Sequence, residues 1–234
     1  MAISKGRRLL ILGVVLVVID QIIKILVKTN MSIGDHFPVF GNWFQILFIE
    51  NSGMAFGMKF GGMAGKLCLT VFRLILFGVL CWWITKLVRR GSSSYAPAVL
   101  GTELPAGEER KPLPTGVLLG LTLITAGAFG NILDSIFYGL LFSESAPGVV
   151  ASFGGHYAPL MFGKVVDMFY FPIIDTTWPT WLPLVGGKAF RFFEPVFNFA
   201  DSCVTVGAVY LIFFQWRFFS TEDSDKKGQL KAEK

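Results

Sequence analysis

Leu9–Val27 reads LLILGVVLVVIDQIIKILV. Crossing a bilayer's hydrocarbon core takes about 20 predominantly apolar residues, and this run is of that length. It also carries two charges, Asp20 and Lys24. They stand four residues apart on one face of a helix with the acid first, the favourable order for a pair. An ionisable residue deep in a span costs about 2.5–3.5 kcal/mol on insertion scales, so such residues point to a task. Counted from Leu9 at 1.5 Å per residue, Asp20 lies roughly 16 Å in. Lys5, Arg7 and Arg8 ahead of the run imitate a cleavable signal peptide. The apolar character continues past Asp20 to Val27 with no small-residue cleavage site, so the expectation is an uncleaved span.

Three further runs are of spanning length: Leu67–Leu87, Thr115–Ile136 behind the Pro112/Pro114 start signal, and Phe197–Phe219. The whole chain of 234 residues agrees, with 53% hydrophobic and 16% charged residues. Soluble chains carry about 25% charged residues. Hydrophobicity this high excludes disorder except at the charged tail, residues 220–234. The formal net charge is +5. The basic residues sit in short groups between apolar runs, which suits membrane orientation and not nucleic-acid binding. Cys68, Cys81 and Cys203 all lie in apolar runs without a CxxC pair, so disulfides and a zinc site are not expected.

Lys and Arg set the orientation. One side collects Lys5, Arg7 and Arg8, then Lys86, Arg89, Arg90, Arg110 and Lys111, then Arg217, Lys226, Lys227, Lys231 and Lys234. The other side holds Lys28, Lys59, Lys66, Lys164, Lys188 and Arg191 over much longer loops. The expected architecture is therefore a mainly α membrane protein of four transmembrane helices, with both termini cytoplasmic. Residues 1–219 form its single domain. The loop at 91–112 reads as a flexible connector. Of the two outward loops, 30–65 contains FPVFGNWFQILFIE, which alternates as strands do. Loop 137–196 mixes Gly, Pro and aromatics, with Trp178 and Trp181 suited to the headgroup level.

Under this topology the acids converge. Asp134 comes near the outer end of the third span, Asp201 lies one turn into the fourth, Asp167 sits in VVDMFYF between them, and the Asp20/Lys24 pair reaches toward the same outer leaflet. Two carboxylates close together in a low dielectric share a proton. Such a pair can hydrolyse a peptide without a metal, one carboxylate taking a proton from water while the other polarises the carbonyl. For a single acid an ion-pair scaffold is the better reading; several at one depth favour chemistry. Asn51, Asn131 and Asn198 accompany them, and helix-to-helix hydrogen bonding is the expected role of Asn131. Gly127 and Gly130 would permit close helix approach.

These elements resemble those of the bacterial lipoprotein (type II) signal peptidases. Asp20-Gln21-Ile22-Ile23-Lys24 is similar to their D-Q-x-x-K, Asn51-Ser52-Gly53-Met54-Ala55-Phe56 to N-x-G-x-A-F, and Gly127 to Asp134 to G-x-x-G-N-x-x-D. Val165-Val166-Asp167 is similar to V-V-D, and Phe197-Asn198-Phe199-Ala200-Asp201 to F-N-x-A-D. The resemblance covers roughly residues 9–219. It implies an inner-membrane aspartyl endopeptidase with a small outward, periplasmic β-rich cradle. The substrate would be a diacylglyceryl-modified prolipoprotein, cut before its lipidated Cys. Asp167 and Asp201 would be catalytic, with Asp20, Lys24, Asn51, Gly53, Asn131, Asp134, Asn198 and Ala200 binding substrate or supporting the dyad. Membrane lipids would be partners, globomycin an inhibitor, and no cofactor would be needed. Asp201, near a helix N-terminus, is the member expected to hold the charge, and Asp167 the shared proton.

Two departures stand out. The family usually has Arg after the Asp134 position, and here it is Ser135; Arg73 and Arg191 are the candidate replacements, and the sequence does not choose between them. Insertions near 143–163 and 175–192 read as lids or partner surfaces. Among rivals, a zinc protease lacks its ligands, since His36 and His156 lie in separate loops, and Ser52 and Ser135 have no histidine base. The G-x-G-D string of another intramembrane aspartyl design is absent. The main alternative is a small proton-coupled transporter or channel using the acids as a relay, and a third reading is a non-catalytic membrane receptor or scaffold.

Overall fold

Hydrocarbon offers no hydrogen-bond partners, so a buried apolar run closes its backbone on itself as helix. A computed structural model describes residues 5–52, 62–91, 114–192, 195–216 and 218. Its order is α1 (Lys5–Asn30), β1 (His36–Phe40), β2 (Phe44–Asn51), α2 (Gly62–Gly91), α3 (Thr115–Leu141), β3 (Val165–Tyr170), β4 (Ile174–Thr177), β5 (Ala189–Phe192), β6 (Val196–Phe197) and α4 (Phe199–Phe214). Among the described residues three helices are long and apolar enough to cross a membrane. Their outward faces expose Leu10, Val14, Phe72 and Ile75, as a lipid-facing surface would. With three such helices the chain is a multi-pass membrane protein.

Helix ends differ from the hydropathy reading. Hydropathy marks only the apolar middle of a helix, whereas the backbone stays helical until its last carbonyls find other partners. In α1 the side chains of Thr29 and Asn30 turn back to the carbonyls of Ile25 and Leu26, both at 2.8 Å, and the helix runs to Asn30. Helix α3 continues to Leu141, so Asp134 lies about two turns inside it and not at its end. The fourth helix covers 16 residues, roughly 24 Å at 1.5 Å each, and is shorter than the run expected there. Gly53, the connector at 91–112 beyond Gly91 itself, which ends α2, and the tail at 220–234 lie outside the described residues.

The strands expected around FPVFGNWFQILFIE are β1 and β2. They join β3 and β6 in an antiparallel sheet of order β1-β2-β3-β6. The β2–β3 register places Ile49 opposite Asp167 and Asn51 opposite Val165. Side chains alternate along β3. Val166 and Met168 enter a core with Val27, Phe48, Tyr138 and Phe142, which leaves Asp167 on the opposite face. That core fixes the acid-bearing strand to α1 and α3.

The insertion at 143–163 is not a lid. It folds back along the end of α3, where Gly163, Met161 and Ala158 donate backbone N–H groups to the carbonyls of Ser135, Ile136 and Gly139. A Cβ at Gly163 would stand 2.0 Å from the Asp134 carbonyl oxygen, so only glycine fits there. A buried charge cluster fastens the same segment to its neighbours. Lys28 of α1 contacts Glu50 of β2 and donates to Ser145 Oγ at 2.9 Å, while Lys164 reaches the other Glu50 oxygen at 3.1 Å. Lys28 Nζ also stands 5.0 Å from the Tyr157 ring centroid. The segment is a brace because these buried charges would be stranded if it lifted. The second insertion forms the separate β4–β5 hairpin.

Candidate active site

Helix α4 begins at the site, and its first turn is built from site residues. Asn198 is the N-cap: its Oδ1 accepts from the Asp201 N–H at 2.9 Å, and Asp201 Oδ2 accepts from the Asn198 N–H at 3.3 Å. This reciprocal capping box satisfies two of the donors that a helix start leaves open. A third, the Ala200 N–H, donates to Asp20 Oδ1 of α1 at 2.9 Å. Such closeness needs small residues on α3. A Cβ at Gly127 would lie 2.2 Å from the Ala200 carbonyl oxygen, and one at Gly130 2.5 Å from Asp20 Oδ2.

Lys24 occupies the centre. Its Nζ lies 2.9 Å from Asp20 Oδ2 and 2.7 Å from Asp134 Oδ2, and all three side chains are buried. Among the described residues that ammonium is the sole polar partner of Asp134 Oδ2. The pair expected four residues apart on α1 is formed, and α3 adds a second acid to it. The ammonium also donates to Asn131 Oδ1 at 2.9 Å. A lysine can only donate, so the Asn131 amide must turn its oxygen to Lys24 and its NH2 elsewhere. The NH2 donates to Asp201 Oδ1 at 2.8 Å. Asn198 Nδ2 donates to Asp167 Oδ1 at 2.7 Å and to Asn131 Oδ1 at 3.1 Å. Two amides thus bridge Asp167 and Asp201, oriented from behind by a lysine. Asn131 does link helices, as expected, and it also touches one of the two acids directly.

Asp167 is buried and Asp201 is half-exposed. Burial first, and the Asp201 charge second, push the Asp167 carboxyl up to about 7. Hydrogen bonds from Asn198 and Asn51, together with the Lys24 charge, act in the opposite direction. A carboxyl poised near neutrality beside a second acid is the arrangement expected of a proton-sharing pair.

Of the two arginines the sequence offered, Arg73 is the one whose side chain is described. It comes from α2, and its Nη1 donates to Ser135 Oγ at 3.0 Å, while Ser135 Oγ donates to the Asn131 carbonyl at 2.9 Å. The desolvated guanidinium lies in the field of Asp201, Asp134 and Asp167. The Arg191 side chain falls outside the described residues.

Gln21 and its partner Tyr138 were overlooked as site residues. Gln21 Nε2 donates to Asp134 Oδ1 at 2.9 Å and to Asp20 Oδ2 at 3.1 Å, and its Oε1 accepts from Tyr138 Oη at 3.1 Å. The signal was present: an amide in an apolar run must be satisfied by something, and two acids lie within a helix turn or a neighbouring span. No cluster of three or more metal-ligating side chains occurs among the described residues. A cavity of about 660 Å³ between α1, α2 and α3, lined by Gly13, Val17, Phe77, Leu121 and Phe129, is apolar and holds none of the acids.

Residues 12–217 match the family described as signal peptidase (SPase) II. A lipoprotein signal peptidase of Porphyromonas gingivalis is 44% identical over 210 residues, covering 89% of this chain and 82% of that one. One of Amoebophilus asiaticus is 32% identical over 198 residues, covering 84% and 72%. A solved structure described as a bacterial membrane enzyme aligns with a TM-score of 0.52 at 22% identity, over 92% of this chain and 90% of that one. This last likeness concerns the fold.

Proposed function

The chain belongs to the signal peptidase II family, a family of proteases that remove signal peptides from lipoproteins, and we propose that it does so as an intramembrane aspartyl endopeptidase with Asp167 and Asp201 as its dyad. The observation that carries this reading is the amide bridge, Asp167 to Asn198 to Asn131 to Asp201, held by Lys24. It fixes two carboxyls of different exposure side by side. Half-exposed Asp201 takes a proton from water. The water oxygen attacks the scissile carbonyl carbon as Asp167 gives its proton to the carbonyl oxygen. The gem-diol then collapses, the C–N bond breaks, and the leaving nitrogen receives the proton held by Asp201. As the gem-diol collapses, one of its hydroxyls returns a proton to Asp167, so the pair ends as it began, with one proton on Asp167 and Asp201 ionised.

The same reading places the substrate as a diacylglyceryl-modified prolipoprotein cut before its lipidated Cys. The setting is a bacterial inner membrane with four spans, α4 being the last, both termini cytoplasmic and the site toward the periplasm. Residues 1–219 act as one peptidase domain, with no cofactor. Globomycin is expected to inhibit, with Asn51, Gly53, Asp134 and Ala200 in the supporting positions. The test is a cleavage assay on a diacylglyceryl-modified lipobox peptide in detergent, with a chelator arm. Chelator-resistant cleavage before the lipidated Cys supports the reading, and no cleavage by folded protein sinks it.

In this scheme Arg73 supplies the guanidinium that the family usually carries after Asp134. One of its N–H groups is engaged by Ser135 Oγ. The others serve the substrate carbonyl. Arg73→Met is expected to lower kcat/KM by about 100-fold, the scale of losing one donor to a developing oxyanion. Arg73→Lys should not restore it, because an ammonium lacks the planar fork. Full activity in either variant would remove Arg73 from the mechanism.

A further inference from the structure

Between the strand that carries Asp167 and the helix that carries Asp201, the chain leaves the four-stranded sheet for the β4–β5 hairpin. Its strands pair from Ile174 with Phe192 to Thr177 with Ala189. The tip at 178–187 is closed by its own backbone. Trp178 N–H donates to the Lys188 carbonyl and Gly187 N–H to the Trp178 carbonyl, both at 2.9 Å. Leu182 N–H donates to the Pro179 carbonyl at 3.1 Å, and Gly186 N–H to that of Leu182 at 2.9 Å. Pro179 and Pro183 fix φ at two more positions. A Cβ at Gly186 would stand 2.7 Å from two carbonyl oxygens. The tip is rigid and locally determined.

What this frame presents is apolar. Residues 176–187 carry no charge, and the first charged residue after them, Lys188, is an exposed residue at the neck. Trp181 is 78% exposed and Leu184 92% exposed. Leu184 also adopts φ 72°, in the left-handed region. A branched side chain there is strained, and glycine or asparagine would serve a turn in water better. Strain held by a closed loop to display a leucine points to something that leucine meets.

The position of the hairpin says what that is. Its base lies where Phe171 stacks on Phe197 at 5.6 Å, directly before α4. A four-residue strand spans about 13 Å, so the tip lies within a strand's reach of the end of a membrane-embedded helix. A tryptophan and a leucine at the tip with a lysine at the neck is the pattern of an interfacial anchor, the cation matching lipid phosphate.

We infer that the 178–187 tip inserts Trp181 and Leu184 into the headgroup–acyl boundary of the bilayer that holds the helices, with Lys188 at the phosphate level. The anchor ties the connection between the two acids to the membrane surface. It rests on the membrane setting and not on the peptidase reading, and its readout needs no substrate.

The test uses the full chain in vesicles of phosphatidylethanolamine and phosphatidylglycerol. Leu184→Cys is labelled with an environment-sensitive fluorophore after Cys68, Cys81 and Cys203 are replaced with alanine. The expected result is blue-shifted emission, quenched strongly by lipids brominated on the acyl chain and weakly by aqueous iodide. Water-like emission with strong iodide quenching overturns the anchor. So does a blue shift without bromolipid quenching, which would mean packing on protein. A shift that appears only with lipidated peptide reassigns the tip to the substrate and equally overturns it. Thr180→Cys repeats the measurement should the first variant fail to fold.

Discussion

Asp167→Asn and Asp201→Asn are each expected to lower kcat/KM by about 10²–10⁴-fold, the range spanned by loss of a general acid or base. The two variants should differ in stability. An amide at 167 can still accept from Asn198 Nδ2 through its oxygen, and Asn51, itself an amide, can turn its own oxygen to the new NH2, so both hydrogen bonds survive. At 201 the carboxylate accepts on both oxygens, from Asn131 and from the Asn198 backbone, and an amide would turn an NH2 toward one donor. Half of the capping box is then lost, at about 1 kcal/mol. Asp167→Asn should therefore unfold near the wild-type temperature and Asp201→Asn slightly below it. The measurement is peptide cleavage beside a thermal melt in detergent. Undiminished cleavage by both variants would eliminate the dyad.

The same geometry sets a pH dependence. Hydrolysis needs one proton on the pair, and the Asp167 carboxyl is raised to about 7 from its ordinary 3.8. Activity should fall as pH rises through about 7, where the shared proton is lost. The linkage has the same sign. A raised value means that the folded chain binds more protons than the unfolded chain between about 4 and 7, so this group's contribution declines as pH rises through that window. A pH–rate profile flat from 6 to 8 would contradict the shared proton.

Much of the site was legible because a membrane makes polarity conspicuous. Asp20, Lys24 and Asp134 stood out against apolar runs, and their convergence followed from which end of each span they occupied. The amide bridge was harder to read. Asn131 and Asn198 were visible, but the direction of each amide depends on Lys24, a lysine from a different helix that has no acceptor. Arg73 was one of two candidates because sequence distance carries no information about which helix face meets Ser135. The braced insertion escaped altogether. Its hold comes from Lys28, Glu50 and Lys164, charges that in a loop read as solvated until the fold buries the first two. The helix ends were missed for a related reason, since backbone partners, and not hydropathy, decide where α3 stops.

Lys24→Met is expected to destabilise the protein by about 3–5 kcal/mol, the usual penalty for removing one member of a buried ion pair. Methionine fills the volume, so the loss is electrostatic. It leaves Asp20 and Asp134 close to each other with no cation between them, and Asp134 Oδ2 without its one polar partner among the described residues. The decisive comparison is the double variant Lys24→Met with Asp134→Asn. If the penalty is an orphaned carboxylate, neutralising that carboxylate should recover part of it, and the double variant should melt above Lys24→Met alone. If the lysine acts only by packing, the second substitution should add its own loss. Activity should not return with stability. Without the ammonium the Asn131 oxygen keeps only the 3.1 Å bond from Asn198 Nδ2, and the amide that aligns the two acids is held less firmly. A double variant that regains its melting temperature and stays slow, with kcat lowered more than KM is raised, would separate the two roles of Lys24: holding the helices together and aiming the dyad.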